Sequence, residues 1–229
     1  MNTNTEIKEN IQRILAELDG RARLLLATKT VPAEVINYAV TCGTNLIGEN
    51  RVQELLEKYD ALDRERMEIH FIGHLQTNKV KYIIDKVSMI HSVDSLPLAR
   101  EIEKQAAKRD ITMRVLVEVN IGNEPGKSGI PLSETESFVE SLGDFSHLLV
   151  CGLMVIPPKT EVPEENLHFF EKIYQKFIDI SQKKEDNKNW AVLSAGMSGD
   201  YLQAVSRGSN LVRVGSGVFG ARQYPTLNT

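Results

Sequence analysis

An alternation constrains this chain more than any other feature. Eight short apolar runs recur along it: RLLLAT (23–28), NLIGE (45–49), IHFIG (69–73), SMIHSV (88–93), RVLVEVN (114–120), LLVCGLM (148–154), AVLSAG (191–196) and LVRVG (211–215). Between them lie segments with apolar residues at helical spacing: 32–43, 51–62, 77–86, 95–110, 133–142, 165–182 and 199–208. Strands that are apolar almost throughout are buried on both faces, a property of parallel sheets. Parallel neighbours need crossover connections, and the helices supply them. Eight such units within 229 residues predict a compact α/β fold, a (β/α)8 TIM-type barrel. An open doubly wound sheet is the alternative. Residues 5–18 carry Ile7, Ile11, Ile14, Leu15 and Leu18 in helical register and end at Asp19-Gly20, which adds an extra N-terminal helix. With no linker, repeat or low-complexity tract, residues 1–229 are expected to form a single domain. EPGKSGIP and KKEDNKN read as surface loops.

Charge and composition narrow the class of function. A net charge of −4 creates no field that would gather nucleic acid or anionic lipid. The longest apolar run, LLVCGLMVI, has nine residues, too few to cross a bilayer. The opening MNTNTEIKENIQRIL has no apolar signal core. Cys42 and Cys151 both sit in apolar company and read as reduced core residues. The expectation is a cytoplasmic protein with no nucleic-acid or membrane partner. No exposed apolar stripe stands out, so a monomer is expected.

In a barrel the strand tips rim the mouth, where sites form. LLLATKTVP (24–32) delivers Lys29 at the tip of a buried strand. That lysine is either a reactive amine or a strand end reaching water. The other tips bring Glu49 and Asn50, Gly73 and His74, His91, Ser92 and Asp94, and Asn120. LSAGMSGD (193–200) and VRVGSGVFG (212–220) place two Gly/Ser-rich turns after strands seven and eight, where this fold cradles phosphate. The competing reading is that the glycines serve only tight turns. Closure pairs strand eight with strand one, so Arg213 lies next to the strand that carries Lys29. A neighbouring cation lowers an amine's pKa and favours its nucleophilic form; otherwise the two side chains point apart into water. Lysine, phosphate cradle and arginine together suggest a carbonyl ligand bearing a phosphate. Pyridoxal 5′-phosphate (PLP) fits, and so does the sugar phosphate of a Schiff-base aldolase.

These stretches, together with LIGENRVQE (46–54), HFIGHLQTNKVK (70–81), IHSVD (90–94), VNIGNEPGKSG (119–129) and CGLMVIP (151–157), resemble the pyridoxal phosphate homeostasis proteins. That family's fold is similar to the alanine-racemase-type barrel of fold-type III PLP proteins. The resemblance implies an internal aldimine on Lys29, Asn50 lining the cofactor ring and Arg213 facing the pyridine nitrogen. It implies that Ser194, Ser198, Gly215, Ser216 and Gly217 hold the phosphate. The family usually has serine at position 28, methionine at 195 and threonine at 216. Thr28 and Ser216 keep a hydroxyl, whereas Ala195 removes bulk beside the phosphate turn. The implied role is PLP homeostasis, with the cofactor passed by transimination to apo PLP-dependent enzymes and no catalytic residue. An arginine can only donate to the pyridine nitrogen, which weakens the electron sink that catalysis needs. Racemases of this fold carry a further all-β domain, and the nine residues after Gly220 leave no room for one. A PLP-dependent racemase or lyase is the alternative.

Other polar residues receive plainer readings. His70 and His74 are four apart but straddle a strand end with no Cys or carboxylate cluster, so no metal site is expected. His74 is a loop histidine or a ligand or partner contact, and His91 and Asp94 fix the turn after strand four. Lys79 and Lys81 form a solvated helix face, or else a surface site that holds or passes PLP. Tyr201 packs within the helix layer rather than on the ligand. FFEKIYQKF (169–177) is a core-facing stripe.

Overall fold

The computed structural model describes residues 1–183 and 188–220. Most of the KKEDNKN stretch lies outside the described residues. Strands β1 (Arg23–Ala27), β2 (Leu46–Glu49), β3 (Glu68–Phe71), β4 (Met89–Val93), β5 (Met113–Asn120), β6 (Leu148–Val155), β7 (Lys188–Ser194) and β8 (Leu211–Val214) are all parallel to their neighbours. Their order is β4-β3-β2-β1-β8-β7-β6-β5, and β4 also pairs with β5. The sheet therefore closes into a barrel, and the open-sheet alternative is excluded. The EPGKSGIP loop ends in a two-residue strand, Ile130–Pro131, that adds beside the end of β5.

The apolar strands are divided between two cores by simple alternation. On β1, Leu24 and Leu26 join the large cluster under the helices, while Leu25 and Ala27 join a smaller one inside the barrel. The inner cluster also holds Leu46, Met89, Leu116 and Leu211. Helices α2 (Ala33–Ala39), α3 (Val52–Lys58), α4 (Val80–Ile83), α5 (Leu96–Ala107), α6 (Thr135–Ser141), α7 (Leu167–Ser181) and α8 (Tyr201–Ser206) connect successive strands. The stripe 169–177 is core as expected, with Phe170, Ile173 and Phe177 buried. Cys42 and Cys151 are both buried free thiols.

After β8 the chain makes only the short α9 (Ser216–Phe219). The N-terminal helix α1 (Asn4–Leu18) packs against α2, α8 and α9. It thereby covers the β8–β1 seam that a full-length eighth helix would otherwise cover. Its start is set by a capping box, in which Thr3 and Glu6 satisfy each other's backbone N–H groups. Asn2 and Asn10 donate side-chain hydrogen bonds to Val218 O, at 2.9 and 3.3 Å. Ile7, Ile11 and Ile14 are fully buried. Ile11→Ala is expected to lower unfolding free energy by about 2–5 kcal/mol, through lost apolar burial and the cavity left behind. Lys8→Ala on the exposed face is expected to change it by less than about 0.5 kcal/mol. Denaturant titration of both variants measures the difference.

Candidate ligand site at the barrel mouth

The position of Lys29 follows from the alternation on β1. Thr28 N–H donates to Gly48 O at 3.0 Å, so the ladder continues one residue past the strand. Leu25 and Ala27 face inward, and Lys29 follows them in the turn at the mouth, half-buried. The turn that follows has Thr30 at φ 62°. It is clamped from behind by Lys58 of α3. Lys58 Nζ donates to Thr28 O (3.0 Å) and Val31 O (3.3 Å), and it pairs with Glu49 (2.8 Å) and Glu54 (3.2 Å). Glu49 accepts the Thr28 hydroxyl and Glu54 accepts Thr30 N–H. Glu49 is fully buried, and burial pushes its carboxyl up despite Lys58. Although Glu49 sits at a strand tip, its side chain belongs to this outer clamp. Asn50, one residue on, lies on the inward side.

Arg213 lies deeper. Its partner across the β1–β8 ladder is Leu25, four residues before Lys29. The side chain is 5% exposed and donates to Ser194 Oγ at 2.6 Å and Val155 O at 2.9 Å. Burial draws the guanidinium down to about 10, with Glu118 and Asp200 pulling the other way. It remains a cation at neutral pH. Glu118 of β5 is pushed up to about 7 by burial first and Asp94 second, with Arg213 opposing. Glu118 Oε2 and Asn50 Oδ1 are buried without a hydrogen-bond partner. Both residues line a cavity of about 270 Å³ together with Ile72, Gly73, His74 and Asn120. Gly73 is required here, because a Cβ would stand 2.1 Å from Asn50 O.

The two Gly/Ser turns meet through one hydroxyl. Ser198 Oγ accepts from Gly215 N–H (3.3 Å) and Gly217 N–H (3.1 Å). A Cβ on Gly217 would reach within 2.9 Å of Val214 Cγ1, so the turn has no room for a side chain. Buried Asp200 fixes the first turn by accepting from Met197 N–H (2.7 Å) and Asn166 Nδ2 (3.2 Å). Ser216 is exposed at the start of α9. The structure therefore gathers Ser198, Gly215, Ser216 and Gly217, but it sets Ser194 apart with Arg213.

Several other expectations resolve. His91 does not fix the β4 turn. A register shift between Ile90 and Val93 accompanies an inward side chain, whose ring lies between His70 and Ser194. His74, which also lines the cavity, stands 3.0 Å from Ser128 Oγ and 3.7 Å from Asp94. Tyr201 donates its hydroxyl to Glu17 of α1 and so belongs to the helix layer. Lys79 and Lys81 flank the exposed Tyr82 ring at 5.7 and 5.0 Å. Among the described residues, no cluster of three or more His, Cys, Asp or Glu could hold a metal ion, and no helix is long and apolar enough to cross a membrane. Lys58 carries no signal in the sequence, because its partners are brought together only by the fold.

Residues 4–223 match the family described as alanine racemase, N-terminal domain. The chain is 43% identical over 224 residues to the pyridoxal phosphate homeostasis protein of Aquifex aeolicus, covering 96% of this chain and 97% of that one. PipY of Synechococcus elongatus PCC7942, solved with PLP bound, is 28% identical with a TM-score of 0.85, covering 93% of this chain and all of PipY. Alanine racemase from Corynebacterium glutamicum shares the fold at 18% identity, with a TM-score of 0.73, over 98% of this chain and 63% of the racemase.

Two measurements test the local electrostatics. Lys58→Met leaves Glu49 buried without its cation and is expected to cost about 3–5 kcal/mol of stability. Adding Glu49→Gln to Lys58→Met should recover part of that loss in a denaturant titration. Glu118 binds its proton more tightly in the folded chain, so its contribution to stability is present below pH 4.5 and is lost as pH rises to about 7. Glu118→Gln should therefore melt above wild type at pH 8, and the gain should vanish by pH 4.5 in thermal melts across that range.

Proposed function

Because the chain belongs to the alanine racemase N-terminal domain family, and within it to the pyridoxal phosphate homeostasis proteins, we propose that it binds PLP at the barrel mouth and serves PLP homeostasis and supply without robust catalysis of its own. One observation carries this reading. A half-buried lysine just past β1, a buried guanidinium on β8 and the Gly/Ser turns after β7 and β8 are brought together because these three strands adjoin.

The residues fit the cofactor group by group. Lys29 offers the amine. Arg213 offers a donor that never surrenders its proton at neutral pH. Gly215 and Gly217 N–H, with the hydroxyls of Ser198 and Ser216, suit a phosphate. Asn50 borders the ring, and Ser194 serves the site by holding Arg213. When bound, PLP supplies an aldehyde carbon that condenses with an amine, water leaving. The chain's own part is to bind, orient and partly shield that carbon. The domain is the whole of residues 1–229, acting as a cytoplasmic monomer that passes cofactor to apo PLP-dependent enzymes.

Glu118 supports a second reading, an amino-acid racemase or lyase, because a mouth carboxyl with a pKa of about 7 suits acid–base work. Absorption spectra of wild type and Lys29→Ala with PLP, followed by borohydride reduction and peptide mass mapping, test the binding. A yellow band that maps to Lys29 and is lost in the variant is expected; a colourless wild type that captures no PLP would refute it. Steady turnover of amino acids by PLP-loaded wild type, abolished by Glu118→Gln, would favour the second reading.

A further inference from the structure

Polar side chains run in single file through the barrel interior. Glu68 Oε1 stands 3.0 Å from His70 Nε2. His70 Nδ1 is 2.8 Å from His91 Nε2, and His91 Nδ1 is 3.3 Å from Ser194 Oγ. Ser194 Oγ is 2.6 Å from Arg213 Nη1. His70, His91 and Ser194 are fully buried, so every donor and acceptor in the file must be matched from within.

The two ends dictate the direction. Arg213 can only donate, so Ser194 accepts from it and turns its own hydrogen to His91 Nδ1. His91 then carries its proton on Nε2 and donates to His70 Nδ1. His70 in turn carries its proton on Nε2 and donates to Glu68. Glu68 is held as a carboxylate at about 2, chiefly by His70 and then by Arg23. Read from Glu68 upward, the assignment is the same, so no member is frustrated. Protonating either ring, or moving its proton to Nδ1, sets two N–H groups against each other or leaves the Ser194 hydrogen without an acceptor. Burial is the chief cause that holds both rings below the ordinary histidine range. Glu68 pulls His70 the other way, against the weaker opposition of Arg23 and Arg114, while His70, Arg213 and Arg114 all oppose a charge on His91.

We propose that His70, His91 and Ser194 are positioning residues: a one-way hydrogen-bond relay that orients the Arg213 guanidinium toward the bound cofactor. The inference rests on the reading that Arg213 meets a PLP molecule. It separates Ser194 from the phosphate turn, because the Ser194 hydrogen is committed to His91. It also ties the mouth to the opposite end of the barrel, where Arg23 bonds Glu68 at 2.7 Å. A change at Arg213 is thereby felt at both rings.

Histidine side-chain 15N NMR of wild type at pH 7, with and without PLP, tests the relay and needs no variant to fold. Both rings are expected as neutral Nε2–H tautomers, and PLP is expected to move the resonances of both. His91→Phe assigns the signals. Ser194→Ala is expected to weaken PLP about tenfold, the scale of one lost hydrogen bond to a charged group. Ser194→Thr, which keeps the hydroxyl, should restore wild-type affinity and absorption. An imidazolium or an Nδ1–H tautomer on either ring would overturn the proposal. So would unmoved ring resonances at PLP saturation, or wild-type affinity in Ser194→Ala. If wild type takes up no PLP, the cofactor reading and with it the orienting role fail, while the ligand-free tautomers still decide the relay's direction.

Discussion

The pairing of β1 with β8 is the contact on which the site depends. It exists only because the sheet closes, and closure follows from eight strands that bury both faces. The register sets Arg23 to Leu26 against Leu211 to Val214. One wall then carries a cation in its depth and a lysine at its lip, with the Ser198–Gly217 turn beside them. Shifting the pairing by one residue would move Arg213 or Lys29 into the helix layer, since side chains alternate with period two. Helix α1 protects this seam from outside and packs on α9, which begins at Ser216 of the second Gly/Ser turn.

Burying charge in a barrel is costly, and the molecule meets the cost in two ways. Behind the wall, Lys58 is matched at once by two carboxylates and two backbone carbonyls. Inside it, Arg213 has no carboxylate in direct contact among the described residues. It donates to Ser194 and Val155, and the compensating charge of Glu118 acts at longer range. A guanidinium so held is weakly neutralised and keeps capacity for an acceptor arriving from the mouth. The same economy explains the orphaned oxygens of Asn50 and Glu118, which face a cavity rather than packed protein.

Much of this was legible in the residues. The strand runs and helical spacings locate every barrel strand, and the Gly/Ser turns and Lys29 stand out at strand tips. What could not be read was side-chain direction where ladders slip or strands end. Glu49 sits at a tip, yet Gly48 and Asn50 take the inward places and Glu49 turns to Lys58. His91 follows a register shift that no local pattern announces. Ser194 and Ser198 lie close in sequence and read as one phosphate turn, but Ser194 is the last strand residue facing in, while Ser198 follows the sharp turn at Gly196 (φ 92°). Lys58 and the histidine file depend on contacts between distant segments, which composition and spacing do not encode.

The barrel axis therefore grades from fixed to open. At depth, Glu68, the two histidines and Ser194 form an array in which each side-chain proton is committed, and Arg213 donates into it from one end. At the lip, Lys29 is only partly buried and the turn beneath it is held by its backbone. Exchange of a carbonyl ligand between amines requires a second amine to approach the first, and this lip permits that approach. Catalysis on a bound amino acid asks for more: a proton carrier held against the reacting carbon, and a ring nitrogen that accepts charge. On the proposed reading Arg213 meets the ring nitrogen, and a guanidinium, which can only donate, would leave that nitrogen neutral and the electron sink weak. The grip such a donor gives a cofactor ring and the activation it withholds are thus two consequences of one contact.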